Sequence, residues 1–143
     1  MEILLIVLNK CEGQSPTLVI VKTETGVIFG GYATSSWKKE GPIEDNNSFC
    51  FSLYPNKKYN LNDQKNALYG YTSYKFNDVM FQFGTCYFRI NQNCTQNYNN
   101  YISPYGDKYY EKGLYDLDKI NPNCKKGEDR HFKVNKLEIF KIK

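Results

Sequence analysis

Cysteine, histidine, paired carboxylates and a glycine pair are the features with which this chain could do chemistry. The thiols are Cys11, Cys50, Cys86, Cys94 and Cys124, and the single histidine is His131. Five cysteines without a CxxC make an incomplete disulfide framework, and one histidine is a thin complement for zinc, so we expect no metal and no cofactor. A nucleophilic thiol would need His131 as its base. That histidine stands between Arg130 and Phe132 at the entry to a strand-like run, with no third, orienting group nearby in sequence, and reads as a surface or strand-edge residue. Cys50, inside the apolar run SFCFSL, reads as an inert core thiol. Cys94, in a polar stretch, reads as the most accessible thiol, with Cys86 the other candidate for a peroxide-reactive or redox-sensing role.

The carboxylates carry less. Asp116 and Asp118 flank Leu117, and Glu128-Asp129 precedes Arg130; without a partner at defined separation they read as solvated loop charges. The pair Gly30-Gly31 fits neither GxGxxG nor GxxxxGK[ST], and the YATSSW that follows has no helical period, which argues against a phosphate cradle. We expect instead a strand whose missing side chains let a bulky ring approach, with Trp37, the only tryptophan, as the candidate ring. No catalytic set emerges, and the chain reads as a non-enzyme.

The composition must support elements that hold these residues. A chain of 143 residues is one ordinary domain, 1–143, and its 16% aromatic content favours strands over helices. Its net charge of +4 is scattered, and Lys125-Lys126 and the Lys141–Lys143 end read as solvated surface, which argues against nucleic acid as partner. The opening MEILLIVLN carries Glu2 where a signal peptide has basic residues and is too short to span a bilayer. The expected setting is therefore a reducing cytoplasm, where the sequons at Asn46 and Asn93 carry no meaning.

Short strand signals alternate with turn chemistry. Ile3 to Leu8 is continuously apolar, and TLVIV (17–21) is β-branched behind Ser15-Pro16. TETG (23–26) reads as a hairpin loop with Gly26 at positive φ before VIFGGYA. Further strands are predicted at 48–54, closed by a Pro55-Asn56 turn, and at 68–74, 79–83 and in TCYFRI. The ending HFKVNKLEIFKI alternates with a phase slip at Asn135-Lys136, the mark of two short strands or one bulged strand. Residues 91–107 read as a long surface loop, and 60–66 as the best minor helix candidate.

Taken in order, these pieces resemble one known family. KCEGQSPTLVIVKTETGVIFGGYATSSW (10–37) resembles the opening of the TLDc domain, with its Cys, Pro-Thr-Leu strand, hairpin, Gly-Gly and Trp. DNNSFCFSL (45–53) resembles the family's Asp-x-x-Ser-Phe-x-Phe-Ser-Leu strand, Phe83-Gly84 its Phe-Gly element, 91–101 its Asn-rich stretch before a Tyr, and 132–140 its closing Phe-x-Val-x-x-Leu-Glu-x-Phe. The likeness spans nearly the whole chain. Two departures stand out: Phe81-Gln82 precedes the Phe-Gly where the family usually has a Pro, and Thr85-Cys86-Tyr87 follows where it has Gly-Gly-Asp. Only MEILLIVLN stands where TLDc domains begin with a helical segment, so the chain reads as a shortened member or a fragment whose uncovered sheet edge would invite self-association.

The resemblance implies a mainly β fold, a β-sandwich of two antiparallel sheets with short flanking helices. It implies a protein-interaction role tied to resistance to oxidative damage, with the vacuolar proton-pumping ATPase (V-ATPase) as a partner, and no established catalytic centre. The positions carrying the family motifs are Gly30, Gly31, Trp37, Phe49, Phe51, Phe83, Gly84 and Glu138. Alternation puts Glu138 opposite Leu137 and Ile139, either on an exposed face or buried against a partner such as an Arg; a structural hydrogen bond is the favoured expectation.

Overall fold

The β-branched run at 17–23 and the alternating C-terminal run lie side by side at the centre of one sheet, as their apolar patterns require. In the computed structural model, which describes residues 3–5, 13–70 and 79–142, the strands are β1 (Ile3–Leu5), β2 (Thr17–Thr23), β3 (Ile28–Ala33), β4 (Pro42–Ile43), β5 (Phe49–Leu53), β6 (Asn56–Asn60), β7 (Leu68–Tyr69), β8 (Val79–Phe83), β9 (Phe88–Asn91), β10 (Asn100–Ile102), β11 (Arg130–Phe132) and β12 (Val134–Ile142). They form two six-stranded antiparallel sheets, ordered β1-β12-β2-β3-β5-β6 and β11-β10-β9-β8-β7-β4. The architecture is the expected β-sandwich. Inward-facing rings and aliphatic side chains from both sheets, among them Val19, Val21, Phe29, Phe81, Phe83, Phe88, Ile90 and Phe132, fill the space between.

Local chemistry accounts for the joints. The β2–β3 loop turns at Gly26 (φ 91°), whose N–H donates to the Thr23 carbonyl (3.0 Å) while the Thr23 hydroxyl accepts from Val27 N–H (3.1 Å). The β5–β6 turn is Tyr54-Pro55, one residue earlier than expected, with Leu53 opposite Asn56. At the C-terminus both sequence alternatives hold at once. The chain changes sheets across Lys133, between β11 and β12, and β12 carries a register shift between Val134 and Lys136 at the anticipated phase slip.

One expectation is corrected and one strand is added. Residues 91–107 are not a structureless loop: β10 lies within them, held because buried Asn100 accepts from Asn91 N–H (2.9 Å) and donates to the carbonyls of Cys94 (3.2 Å) and Phe132 (3.0 Å). The asparagines there replace missing backbone partners. Strand β6, NKKYN, has no apolar alternation and pairs because its hairpin turn delivers it to β5. The short flanking helices are single 3-10 turns among the described residues, at Gln64–Asn66, Gly106–Lys108 and Asp118–Ile120. The first falls within the 60–66 candidate, with Asp63 accepting from the backbone N–H groups of Lys65 and Asn66. The expected strands at 3–8 and 68–74 are seen at 3–5 and 68–69, and 6–8 and 71–74 lie outside the described residues.

Edge strand β6 is blunted. Asn60 exchanges two hydrogen bonds with Glu111, N–H to carboxylate (2.6 Å) and carbonyl to N–H (2.9 Å), and Lys57 and Lys58 occupy the rest of the edge. Among the described residues, no helix is long and apolar enough to cross a membrane.

Candidate functional site

The pleat of the first sheet divides the motif residues into two sets. Gly31 faces inward, paired with Val19 and Cys50. A Cβ there would lie 2.4 Å from the Phe83 ring. The ring that needs the glycine is therefore Phe83, not Trp37 as expected, because β8 on the opposite sheet aims its side chain straight at the gap. Phe83 stacks on Phe88 (centroids 4.8 Å apart), and Trp37 stands edge-on to Phe83 (5.5 Å) and Phe81 (5.1 Å). The indole N–H donates to the Thr17 hydroxyl (2.8 Å). Gly84 follows β8 with φ 62°; a Cβ there would lie 2.6 Å from the Cβ of Tyr109, and its N–H donates to the Ala67 carbonyl (2.7 Å).

Gly30, Phe49, Phe51 and Glu138 face the other way, onto the outer side of the sheet. Cross-strand pairing lines up Glu138, Ile20, Gly30, Phe51 and Lys58 in one row and Phe140, Leu18, Tyr32, Phe49 and Asn60 in the next. The apolar members are only half-buried apart from Gly30, which lies beneath the Phe51 ring. Tyr32 and Phe49 pack ring to ring (5.4 Å), and the Lys58 ammonium sits over Phe49 (4.4 Å). Glu138 is 34% exposed and pairs with Lys136 (3.4 Å). Its partner is a surface lysine, in place of the expected structural hydrogen bond.

An outward-facing sheet surface is ordinarily polar, and the second sheet obeys. Its outer row is Tyr69, Gln82, Arg89, Tyr101 and His131. The first sheet instead presents Leu18, Ile20, Ile28, Tyr32, Phe49, Phe51 and Phe140. The contrast makes the outer face of the first sheet the candidate binding surface.

The thiols follow a different order from the one expected. Cys94 is buried, 4% exposed, because its turn folds inward and its carbonyl accepts from Val134 N–H (3.0 Å) and Asn100; burial pushes its thiol up. Cys50 is fully buried, and burial raises it well above the ordinary thiol range. Cys11 lies outside the described residues. Cys86, half-buried at φ 69°, has its Sγ 2.9 Å from the Tyr101 hydroxyl and 3.2 Å from Gln82 Oε1. Burial first and Cys86 second push Tyr101 up to about 12, against the opposing pull of Arg89, whose guanidinium lies 5.7 Å from its ring. His131 packs on the same ring (5.4 Å) and its Nδ1–H donates to the Tyr98 carbonyl (2.9 Å), with no hydrogen bond to the Cys86 thiol. Timed alkylation of the native protein is expected to label Cys86 and Cys124 at least roughly tenfold faster than Cys50 and Cys94, since the latter wait for local opening. Peptide mass spectrometry reads this directly, and Cys94 reacting as fast as Cys86 would refute it.

The carboxylates are structural or solvated. Asp118 pairs with buried Arg130 (3.4 Å), which also donates to the carbonyls of Tyr115 (2.9 Å) and Asn121 (2.6 Å). Sequence reasoning missed Asp45. Its buried carboxylate accepts from the backbone of Thr34 (2.7 Å), Ser35 (3.0 Å) and Asn47 (2.9 Å) and from the Thr34 hydroxyl, tying the end of β3 to the entry of β5. The signal was its place at the head of DNNSFCFSL, an Asx position before a strand. A polar cleft of about 320 Å³ beside the β2–β3 loop is lined by Glu24, Tyr98, Asn121, His131 and Lys133 among others, with Tyr98 O–H donating to Glu24 (2.6 Å). It holds no nucleophile paired with a base, and no group of three or more His, Cys, Asp or Glu among the described residues could hold a metal.

Comparison with known proteins agrees with the ordered motifs. The MTOR-associated protein MEAK7 of Danio rerio is 37% identical over 49 residues, covering 34% of this chain and 11% of the relative. That of Gallus gallus is 37% identical over 62 residues, 43% of this chain and 11% of the relative, and that of Mus musculus 32% over 62 residues, 43% and 14%. The chain thus spans only about a tenth of the length of these relatives. A family model, the TLDc domain, matches residues 5–143. With the Gly-Gly strand against Phe83, the buried Trp37 and the bulged closing strand in place over that range, the chain belongs to the TLDc domain family.

Proposed function

We propose that this TLDc domain is a non-catalytic, cytoplasmic protein-binding module that contacts its partner through the outer face of the first sheet. The observation that carries the reading is the half-buried apolar surface of Leu18, Ile20, Tyr32, Phe49, Phe51 and Phe140 on a face that solvent would otherwise select to be polar. Among TLDc proteins several bind the V-ATPase and act in resistance to oxidative damage, which makes the peripheral sector of that pump the first partner to test. The names of the MEAK7 relatives add an mTOR-containing assembly as the second.

The test is co-sedimentation of the chain with the peripheral sector, read with ATP hydrolysis, for the parent and for Ile20→Glu. Ile20 is central to the face and half-buried, so a charge there leaves the inner core intact. We expect saturable binding by the parent and a loss of at least about thirtyfold in the variant, the scale of a hot spot. A folded Ile20→Glu that binds like the parent overturns the assignment of this face.

A second reading rests on Cys86, which is accessible in part and hydrogen-bonded to Tyr101 beside Arg89. It makes the domain a peroxide-responsive thiol protein. Oxidation of Cys86 by hydrogen peroxide no faster than that of a free thiol would remove it.

A further inference from the structure

We infer that the outer face of the first sheet receives an acidic amphipathic helix of a partner protein. The inference rests on the interaction-face reading above and adds the occupant. Three lysines, Lys22, Lys58 and Lys136, stand on this face against one carboxylate, Glu138. Lys22 and Lys136 lie directly opposite each other across β2 and β12, a like-charge pairing that costs stability in an isolated sheet. Glu138 answers Lys136 (3.4 Å), and among the described residues no carboxylate pairs with Lys22 or Lys58. Lys58 is held over the Phe49 ring, so its charge stays at the border of the apolar rows. The face thus has an apolar centre with Lys22 and Lys136 in the row beyond Ile20, at one end, and Lys58 on its β6 side.

Size and shape select the helix. The rows run across β12, β2, β3 and β5, three inter-strand spacings or about 14 Å, and a helix is about 10–12 Å wide. Gly30 contributes no side chain, and the tip of the Phe51 ring reaches over it, so the middle of the face carries little bulk of its own. A helix with apolar residues at i, i+3, i+4 and i+7, lying along the strands, fills such a strip, and Glu or Asp at one of its ends and along its β6 flank would meet Lys22 and Lys136 at the end and Lys58 at the flank. An added strand would use an edge of the sheet, not its face. A second copy related by a two-fold axis would set this face, with its excess of lysines over carboxylates, against itself.

The test uses the full chain and two labelled helical peptides with the same leucine stripe, one flanked by glutamates and the other by lysines. Fluorescence anisotropy is expected to show the acidic peptide binding at least about tenfold tighter at about 0.05 M salt, the preference shrinking towards about 0.5 M. The double variant K22E/K58E should reverse the preference, Ile20→Glu should abolish binding of both, and hydrogen exchange in β3 and β5 should slow only with bound peptide. Equal or stronger binding of the basic peptide overturns the acidic partner while leaving the face as a docking surface. Binding to phosphatidylserine vesicles but to neither peptide overturns it in favour of a membrane, and concentration-dependent dimers blocked by Ile20→Glu overturn it in favour of a second copy. If neither peptide binds and Ile20→Glu also leaves pump binding unchanged, the interaction-face reading falls with it.

Discussion

Replacing Trp37 by alanine is expected to lower the unfolding free energy by roughly 3 to 5 kcal/mol. The indole is 1% exposed and stands edge-on to both Phe81 (5.1 Å) and Phe83 (5.5 Å), so its removal leaves a cavity whose walls are rings fixed by other contacts. It also strands the hydroxyl of Thr17, fully buried and held by the indole N–H at 2.8 Å. For a domain of this size the loss corresponds to about 10 to 20 °C in Tm. Trp37→Phe separates the two contributions: it restores most of the apolar area but not the donor, and should retain a deficit of about 1–3 kcal/mol. Melting followed by near-ultraviolet circular dichroism decides the matter, and a Trp37→Ala protein that melts within about 2 °C of the parent contradicts the packing described here.

Adding one methyl at either glycine of the pair is expected to destabilise the fold, by a different route on each face. At Gly31 the new Cβ would lie 2.4 Å from Phe83, whose ring is trapped between Phe88 and Trp37 and cannot swing aside. Gly31→Ala should cost about 1–3 kcal/mol, the usual scale of overpacking. At Gly30 the Cβ would lie 1.9 Å from the carbonyl oxygen of Val19, and no rotamer change moves a backbone atom. β2 and β3 must part at the centre of the sheet, so Gly30→Ala should exceed about 4 kcal/mol or fail to fold. A rescue experiment tells the mechanisms apart. Phe83→Leu should recover part of the loss in Gly31→Ala, whereas Phe51→Leu should recover almost none in Gly30→Ala, because the obstruction there is peptide and not ring.

Which strands were legible in the sequence follows from where their stabilisation comes from. β2, β3, β5, β8 and the β11–β12 ending carry their own signal, β-branched runs or strict alternation, because their side chains meet the core directly. β6 was illegible because Tyr59 alone among its residues is buried and its pairing is imposed by the turn before it. β10 was illegible because its register is held by Asn91 and Asn100 side chains bonding to backbone eight and nine residues away, and an asparagine in sequence signals a loop whether or not it finds such partners. Cys94 was misjudged for the same reason: a polar neighbourhood in sequence became a buried turn once Asn100 drew its carbonyl inward.

The amino-acid order by itself determined the family, the antiparallel β class, the hairpin at Gly26, the slip in the closing strand and the need for glycine at 30 and 31. Each of these shows in the chain as a local pattern: alternation, a turn glycine at positive φ, an adjacent glycine pair within a strand-like run, or ordered family motifs. Tertiary structure alone decided that Phe83 and not Trp37 occupies the Gly31 gap, that Cys86 is more open than Cys94, and that one motif set faces inward while Gly30, Phe49, Phe51 and Glu138 face out. Period-two alternation says that two faces exist, but which of them meets a second sheet depends on strands distant in sequence, and so does the apolar surface left for a partner.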